Sequence, residues 1–173
     1  GGALGLLSAK LLAAADEGVL LLDRQGVGRE SSWAGGGIVS PLYPWRYSAA
    51  VTALAHWSQD FYPSLAERLL RSTGCDPEVQ VTGLYWLDLD DEVDALAWAR
   101  QHGRSLAQVP IEQVQAAVPP LGDGFERALY MAGVANVRNP RLIKALRAAL
   151  EQLPNVTLLE QTPISSFMRD GER

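Results

Sequence analysis

Gly1-Gly2-Ala3-Leu4-Gly5 opens the chain, and an apolar segment joins it to Val19-Leu20-Leu21-Leu22-Asp23. Glycines let a backbone approach a pyrophosphate, a helix N-terminus attracts its negative charge, and an acidic residue about twenty positions later can bind a ribose. These are the parts of the dinucleotide-binding strand-helix-strand fingerprint. Of the G-x-G-x-x-G pattern only the last two glycines are present, and the strand that should precede them is absent from the sequence. The stretch predicts a nucleotide-binding α/β fold, and by itself it suits NAD and FAD equally.

Two elements and a candidate ligand follow from this stretch. Residues 4–15 are rich in Ala and Leu, which are good helix formers without β-branching, so they predict a buried helix. Residues 19–22 are a short continuous apolar run, the pattern of a parallel strand covered on both faces. Asp23 stands at the carboxyl edge of that strand, where ligands bind in open α/β sheets. Its carboxylate can accept hydrogen bonds from both hydroxyls of an adenosine ribose, and the alternative is an exposed side chain that caps the turn.

A second glycine-rich stretch is Gly28-Arg29-Glu30-Ser31-Ser32-Trp33-Ala34-Gly35-Gly36-Gly37-Ile38-Val39-Ser40-Pro41. Three consecutive glycines cost backbone entropy on folding, so they usually mark a place where the main chain passes very close to another group. The hydroxyls of Ser31 and Ser32 suit phosphate oxygens at a helix N-terminus. A flexible Gly/Ser linker is the alternative, but the large apolar side chains within the stretch make it the poorer interpretation. The stretch favours FAD over NAD, because a nicotinamide enzyme has no evident use for it.

Composition limits the class of protein. The chain has 173 residues, of which 47% are hydrophobic, enough to bury one core or one domain with part of another. Its formal net charge is -5, and its 15 Lys and Arg residues are scattered, which argues against a nucleic-acid-binding surface. We therefore expect a small-molecule ligand rather than nucleic acid.

Cysteine content and hydropathy indicate the compartment. The single cysteine, Cys75, excludes an internal disulfide and suits a reducing compartment, so the cytoplasm is the expected location. The longest apolar run is interrupted by Lys10, Asp16 and Glu17, so it falls short of the roughly 18–20 residues that cross a bilayer. We expect a soluble protein with no membrane partner and no signal peptide.

The rest of the chain alternates between helical and strand patterns. Residues 46–72 show helical spacing, with Pro63 predicting a kink or a break between two helices. Further helices are predicted over 90–101, 111–118 and 141–153, and strands over 83–89, 125–131 and 156–160. Thr162-Pro163-Ile164 starts a segment to residue 169, and Asp170-Gly171 is a hairpin signal whose second strand is missing. The chain is thus expected to stop in the middle of a motif at both ends.

Side chains with catalytic or metal-binding potential are few and isolated. Neither His56 nor His102 has a partner at metal-ligand spacing, and Cys75 stands alone, so we expect structural or surface roles and no metal site. The acidic run at 90–92 is better explained as the start of a helix, where the macrodipole favours acids, than as a metal site. No catalytic residue can be named from the sequence.

Several of these stretches together resemble one family. The chain resembles the FAD-dependent D-amino acid oxidase superfamily, and within it the glycine oxidase branch associated with thiamine biosynthesis. The resemblance rests on Gly2-Ala3-Leu4-Gly5-Leu6-Leu7-Ser8-Ala9, Leu21-Leu22-Asp23-Arg24, Gly28 to Pro41 as quoted above, Gly83-Leu84-Tyr85-Trp86, Asn136-Val137-Arg138-Asn139-Pro140-Arg141 and Thr162-Pro163-Ile164. These stretches occur in family order and span nearly the whole chain.

The resemblance implies a fold and a domain arrangement. The fold would be α/β, with a Rossmann-like FAD-binding domain, a parallel sheet with helices, interrupted by part of an α+β substrate domain. The FAD-binding domain would comprise residues 1–44 and an incomplete second segment, 135–173. Residues 45–134 would form a helical region and part of the substrate domain, and a substrate would sit between the two domains.

The resemblance also assigns cofactor-binding roles. Gly2, Ala3, Leu4 and Gly5 would form the turn at the FAD pyrophosphate, and Asp23 with Arg24 would meet the adenosine ribose. Ser31 and Ser32 match the family's hydroxyl pair near the phosphates. The backbone of Gly36, Gly37 and Ile38 would pass the isoalloxazine ring, and the main chain of Ile164 would pair with adenine.

The activity implied is FAD-dependent oxidative deamination of glycine or a small D-amino acid. The products would be the imine, hydrolysed to the 2-oxo acid, and hydrogen peroxide, and the partners would be the amino acid and dioxygen, with a homo-oligomer compatible with the family. An FAD-dependent D-amino acid dehydrogenase, a sarcosine-type amine oxidase and a non-catalytic nucleotide-binding module remain alternatives. The family's substrate-clamping arginine comes from a C-terminal half, and Arg46, Arg138 and Arg141 are better explained by helix-terminal or surface roles.

Overall fold

A computed structural model of the chain describes residues 1–166. The chain divides into two compact units. The first unit contains residues 1–37, 64–78 and the segment from 138 onward, and the second unit contains residues 38–63 and 79–137. The boundaries that the sequence predicted, at 44 and 134, remain a prediction.

The first unit is built on a parallel strand pair. Strand β1 (Val19–Leu22) pairs with β8 (Val156–Leu159), the register running from Val19 opposite Val156 to Leu22 opposite Leu159. Helix α1 (Ala3–Ala14) packs on β1 and on α6 (Asn139–Glu151), and α6 packs also on β8 and on the short helix α2 (Ser31–Ala34). The carboxyl ends of both strands therefore lie at the same edge of the sheet.

Helix α1 presents small and branched residues to the core. Its buried side chains, Leu6, Ala9 and Ala13, recur at spacings of three and four, so they share one helical face. The helix ends before Asp16, whose φ of 62° is in the left-handed region and reverses the chain. Asn155 Nδ2 then donates to the backbone oxygens of Ala13, at 3.0 Å, and Glu17, at 2.8 Å. These bonds fix the end of α1 against the start of β8.

Helix α6 supplies the largest share of the core of the first unit. Pro140 occupies its first turn, where a missing N–H costs nothing. Its buried side chains are Leu142, Ile143, Ala145, Leu146, Ala149 and Leu150. This face is continuous and apolar over the length of the helix, as expected of a helix that covers a parallel sheet.

The second unit contains two antiparallel sheets. Strand β7 (Ala135–Asn136) lies between β2 (Ile38–Val39) and β3 (Gln80–Val81), and β6 (Ala128–Met131) lies between β4 (Leu84–Leu87) and β5 (Leu106–Val109). The helices of this unit are α4 (Glu92–Gln101), α5 (Ile111–Ala117) and the first part of α3 (Ala49–Thr73), whose last part belongs to the first unit. Its buried core cluster consists of Trp86, Leu89, Ala95, Ala99, Leu106, Leu129, Met131 and Val134.

The mixed α/β architecture, with a parallel strand pair and covering helices, confirms the predicted fold class. The alternative of a break at Pro63 was wrong, because α3 is assigned as one helix from Ala49 to Thr73. The predicted strands over 83–89 and 125–131 are shorter, at Leu84–Leu87 and Ala128–Met131. Most of the predicted segment after Ile164 and the hairpin signal at 170–171 lie outside the described residues.

Within residues 1–166, no helix has the length and apolar character needed to cross a membrane.

Candidate functional site

Asp23 lies at the carboxyl end of β1, where the sequence predicted it. Its Oδ1 accepts a hydrogen bond from the backbone N–H of Gln25 at 2.8 Å, and its Oδ2 lies 3.3 Å from the nitrogen of Gly1. The backbone of Asp23 donates to Leu159 O at 2.9 Å and accepts from Thr162 N at 2.8 Å. These backbone bonds hold the carboxylate at the common edge of the two parallel strands.

The opening glycines pack directly against polar side chains. A Cβ at Gly1 would lie 2.0 Å from Asp23 Oδ2, and a Cβ at Gly2 would lie 2.8 Å from Ser32 Oγ. The first residue of α1, Ala3, donates its N–H to the same Ser32 Oγ at 2.9 Å. A side chain at Gly1 would force the Asp23 carboxylate to move, so glycine at this position lets the carboxylate pack against the turn.

A cavity of about 100 Å³ opens between these groups. Its lining residues are Gly1, Gly2, Asp23, Gly28, Arg29, Glu30, Ser31 and Ser32. The structure thus brings the glycine turn at Gly1 and Gly2 together with Asp23 and the serine pair. Of these residues, the sequence had assigned Gly2, Asp23, Ser31 and Ser32 to the cofactor site. The sequence interpretation missed Arg29, although this residue lies inside the quoted stretch. The guanidinium carbon of Arg29 lies 4.7 Å from the centre of the Trp33 ring.

The other predicted residues lie further from this cavity or make other contacts. Arg24 pairs with Glu30 on the surface. The side chain of Leu4 is 83% exposed. A Cβ placed on Gly5 would lie 3.7 Å from Leu21 Cδ1, so Gly5 faces Leu21. Ile164 follows Thr162 by two residues and is half exposed. None of these four residues lines the cavity.

Three glycines follow α2, and each has different surroundings or backbone geometry. A Cβ at Gly35 would lie 2.6 Å from Asn139 Nδ2, which donates to Gly35 O at 2.8 Å. Gly37 has a φ of 75°, in the left-handed region. Gly36 has no atom within 4 Å of a built Cβ. Ile38 begins β2 of the second unit and is paired there with Asn136.

The three arginines considered from the sequence are all engaged by acids. Arg138 and Arg141 pair with Glu78 at 3.2 and 3.1 Å. Arg46 Nε donates to Asp91 Oδ2 at 2.7 Å. This bond, together with that from the Trp45 indole N–H at 2.7 Å, lowers the pKa of Asp91 to about 2.

The acidic run at 90–92 differs in detail from its predicted role. Helix α4 begins at Glu92, but Asp91 makes no capping hydrogen bond with its side chain. The Glu92 side chain is buried, where it accepts from Gln108 Nε2 and lies 3.5 Å from Arg127. The acids at this helix start therefore anchor neighbouring segments. Among the described residues no group of three His, Cys, Asp or Glu side chains could hold a metal ion.

The chain is similar to known oxidases over its whole length. The family model described as FAD dependent oxidoreductase matches residues 1–173. Glycine oxidases of Pseudomonas aeruginosa and Pseudomonas putida are each 65% identical, over 99% and 100% of this chain. The chain spans about half the length of these relatives, 47% of each.

Solved structures agree with this assignment. The glycine oxidase of Geobacillus kaustophilus matches with a TM-score of 0.83 at 26% identity, over 93% of this chain and 45% of that one. The glycine oxidase of Bacillus cereus shares the fold with a TM-score of 0.86, at 23% identity, over 98% of this chain and 46% of that one. The family resemblance found in the sequence is therefore confirmed, and the chain belongs to the family of FAD-dependent oxidoreductases.

Proposed function

We propose that the protein containing this chain oxidatively deaminates glycine or a small D-amino acid, using FAD, to the 2-oxo acid and hydrogen peroxide. The observation that carries the proposal is the shared cavity of the glycine turn, Asp23, Ser31 and Ser32 at the carboxyl edge of β1 and β8. Two relatives with 65% identity are glycine oxidases, which supports glycine as the first substrate to test.

The residues around the cavity fit a dinucleotide cofactor. The backbone at Gly1 and Gly2 has no side chain to hold a pyrophosphate away, and the nearby Ser31 supplies a hydroxyl donor. Arg29 supplies a positive charge for the pyrophosphate. Asp23 would accept hydrogen bonds from ribose hydroxyls, because a carboxylate has more acceptor positions than its one bond to Gln25 uses.

The roles of five further residues rest on the family resemblance. Arg24 would lie near the ribose, and the main chain of Ile164 would meet adenine. The backbone of Gly36, Gly37 and Ile38 would pass the flavin ring. No atom lies within 4 Å of a Cβ placed on Gly36, so the backbone at this residue is open to a flat ring.

The chemistry comes from the cofactor. When bound, FAD would supply the redox chemistry, as acceptor of a hydride from the α-carbon of the amino acid and as donor of electrons to dioxygen. The described residues serve to bind and orient that cofactor. A role in thiamine biosynthesis and a cytoplasmic location are part of the proposal, the first because of the family resemblance and the second because of the single cysteine.

The test uses the full-length protein. We expect the purified protein to show the visible absorbance of bound flavin, and to consume dioxygen and release hydrogen peroxide with glycine. A panel of D-amino acids and sarcosine defines the substrate. Electron transfer from the substrate only to an added artificial acceptor would identify a dehydrogenase. A protein that shows no flavin absorbance and binds no added FAD would contradict the proposal and favour a non-catalytic module.

A further inference from the structure

The second unit contains a cluster of His56, Trp98, His102 and Arg104 that the proposed cofactor chemistry does not use. The His56 ring centre lies 5.9 Å from that of His102 and 6.1 Å from that of Trp98. Arg104 Nε donates to His56 Nε2 at 3.0 Å. The cluster therefore joins α3, which carries His56, to the end of α4 and the segment before β5.

The end of α4 fixes Arg104 in place. Gly103 has a φ of 61°, and the N–H of Arg104 donates to Ala99 O at 2.8 Å. The N–H of Gly103 reaches Arg100 O at 3.4 Å, which completes the Schellman pattern of a helix C-terminus. The arginine is thus held by its backbone, and its side chain extends to the neighbouring helix.

The protonation state of His56 follows from its partner. A guanidinium can only donate hydrogen bonds, so His56 Nε2 must present its lone pair and the imidazole must be neutral, with its proton on Nδ1. A protonated His56 could not accept this bond, and it would face the positive charge of Arg104. The hydrogen bond therefore exists in only one protonation state of His56.

The surroundings of His56 favour that neutral state. The titratable and charged groups that face it are Arg104 from the turn after α4, His102 at the end of α4, and Asp60 one turn further along α3. The cavity beside His56 has a volume of only about 10 Å³. The residues that the 40–44 segment and β6 contribute to its lining do not titrate; they are Ser40, Pro41, Pro44 and Met131. Burial, followed by Arg104 and His102, lowers the pKa of His56, while Asp60 opposes the shift.

We propose that the hydrogen bond from Arg104 to His56 is a pH-sensitive link in the second unit, present when His56 is neutral and broken when it is protonated. The link reaches beyond its own residues, because Gln59, on the following turn of α3, donates to Val39 O of β2 at 3.0 Å. Loss of the link in mild acid loosens α3 from α4 and from β2. The inference does not depend on the identity of the cofactor.

The sign of the stability change follows from proton linkage. The pKa of His56 in the folded protein lies below its ordinary value of about 6.5, so the unfolded chain takes up the proton first as the pH falls. The contribution of His56 to stability is complete above about pH 6.5 and declines as the pH drops toward the folded pKa.

The first experiment is a pH titration of the histidine rings by long-range ¹H–¹⁵N NMR on the wild-type protein. Comparison with H56Q and H102Q assigns the signals. We expect His56 Nε2 to appear as an unprotonated nitrogen at pH 7.5 and the ring to titrate below pH 6.5. A His56 ring that carries its proton on Nε2, or that titrates at or above pH 6.5, would overturn the proposal.

The second experiment compares thermal unfolding at pH 7.5 and pH 5.0, followed by tryptophan fluorescence. Of the five tryptophans in the sequence, four lie in the second unit, Trp45, Trp57, Trp86 and Trp98, so its unfolding contributes to this signal. In H56Q the amide oxygen can still accept from Arg104 but cannot be protonated in this range, so we expect a smaller fall in the unfolding midpoint than in wild type. The control H102Q removes the neighbouring imidazole and should keep a His56-dependent fall. Equal falls in wild type and H56Q would overturn the proposal.

Discussion

At the residue scale, Asp23 combines a local role with a role in the proposed site. Its Oδ1 closes a turn with the N–H of Gln25, and its Oδ2 faces the glycine turn. The side chain is only 17% exposed, so its position is set by the surrounding backbone. A carboxylate that is already oriented loses little conformational entropy when it binds a ligand.

We predict that Asp23→Ala weakens FAD binding by about 1.5–3 kcal/mol, the usual loss for a hydrogen bond to a charged group. The measurement is a fluorescence titration of the full-length apoprotein with FAD. Asp23→Asn serves as the matched control, because its Oδ1 can still accept from Gln25 while the charge is removed. An affinity for FAD that is unchanged in Asp23→Ala would contradict the ribose assignment.

Gly28 is the glycine in the first unit whose replacement should cost most. Its φ is 70°, and a Cβ would lie 2.4 Å from Ile143 Cγ2 on α6. We predict that Gly28→Ala destabilises the protein by about 1–3 kcal/mol through overpacking, with backbone strain in addition. Gly18→Ala is the control, because no atom lies within 4 Å of a Cβ there. Chemical denaturation followed by circular dichroism measures both, and equal stabilities would disprove the steric argument.

At the element scale, α6 determines how well the first unit is packed. Leu146 is completely buried, whereas Lys144 on the same helix is exposed. We predict that Leu146→Ala costs about 2–5 kcal/mol of unfolding free energy, because it leaves a cavity in the core. Lys144→Ala should change the unfolding free energy by about 0.5 kcal/mol or less. Similar losses for the two variants in urea denaturation would be inconsistent with this packing.

Asp91 joins α4 to the turn at 44–46 and makes this connection sensitive to acid. Its pKa of about 2 lies below the ordinary 3.8, so its ionised form stabilises the folded protein above about pH 4 and this stabilisation is lost between pH 4 and pH 2. We predict that Asp91→Asn is less stable than wild type at neutral pH and loses less stability on acidification through that range. Unfolding midpoints measured from pH 2 to pH 5 test this, with the exposed Asp123→Asn as control. Parallel curves for wild type and Asp91→Asn would refute it.

The sequence predicted best those helices and strands whose conformation is favoured by their own residues. Residues 4–15 were predicted as a helix and form α1 over Ala3–Ala14, because Ala and Leu favour helix independently of context. Strand β5 was missed, since Leu106-Ala107-Gln108-Val109 has weak strand preference and its structure depends on pairing with β6. The two-residue strands β2, β3 and β7 are too short to leave any periodic pattern.

The candidate site, like the helices and strands, was predictable from the sequence only where its residues belong to a local motif. Asp23 and the glycine turn belong to one local motif, so their proximity could be expected from spacing alone. The bond between Ala3 N and Ser32 Oγ joins residues 29 positions apart and depends on how the chain returns to α1. Arg29 lacked a motif of its own, and only the folded cavity shows that it stands beside the serine pair.

At the scale of the whole molecule, the relatives are about twice as long as this chain, which covers 47% of each. The family resemblance implies that the arginine that would clamp a substrate carboxylate comes from the C-terminal half of the full-length protein. We predict that residues 1–173 alone release no hydrogen peroxide with glycine, even with added FAD, because Arg46, Arg138 and Arg141 are each paired with an acid. A peroxide assay on this segment, with the full-length protein as positive control, tests the prediction. Peroxide release by the segment alone would show that substrate recognition lies within it.

The pairing of β1 with β8 also sets an order of events during synthesis. Val19 is made long before its partner Val156, and the whole second unit is encoded between them. At about 5–20 residues per second, β1 must wait on the order of ten seconds for the strand that pairs with it. The second unit, whose segments at 38–63 and 79–137 are complete by then, can fold first. The sheet edge that carries Asp23 is therefore assembled late, from an earlier and a later part of the growing polypeptide.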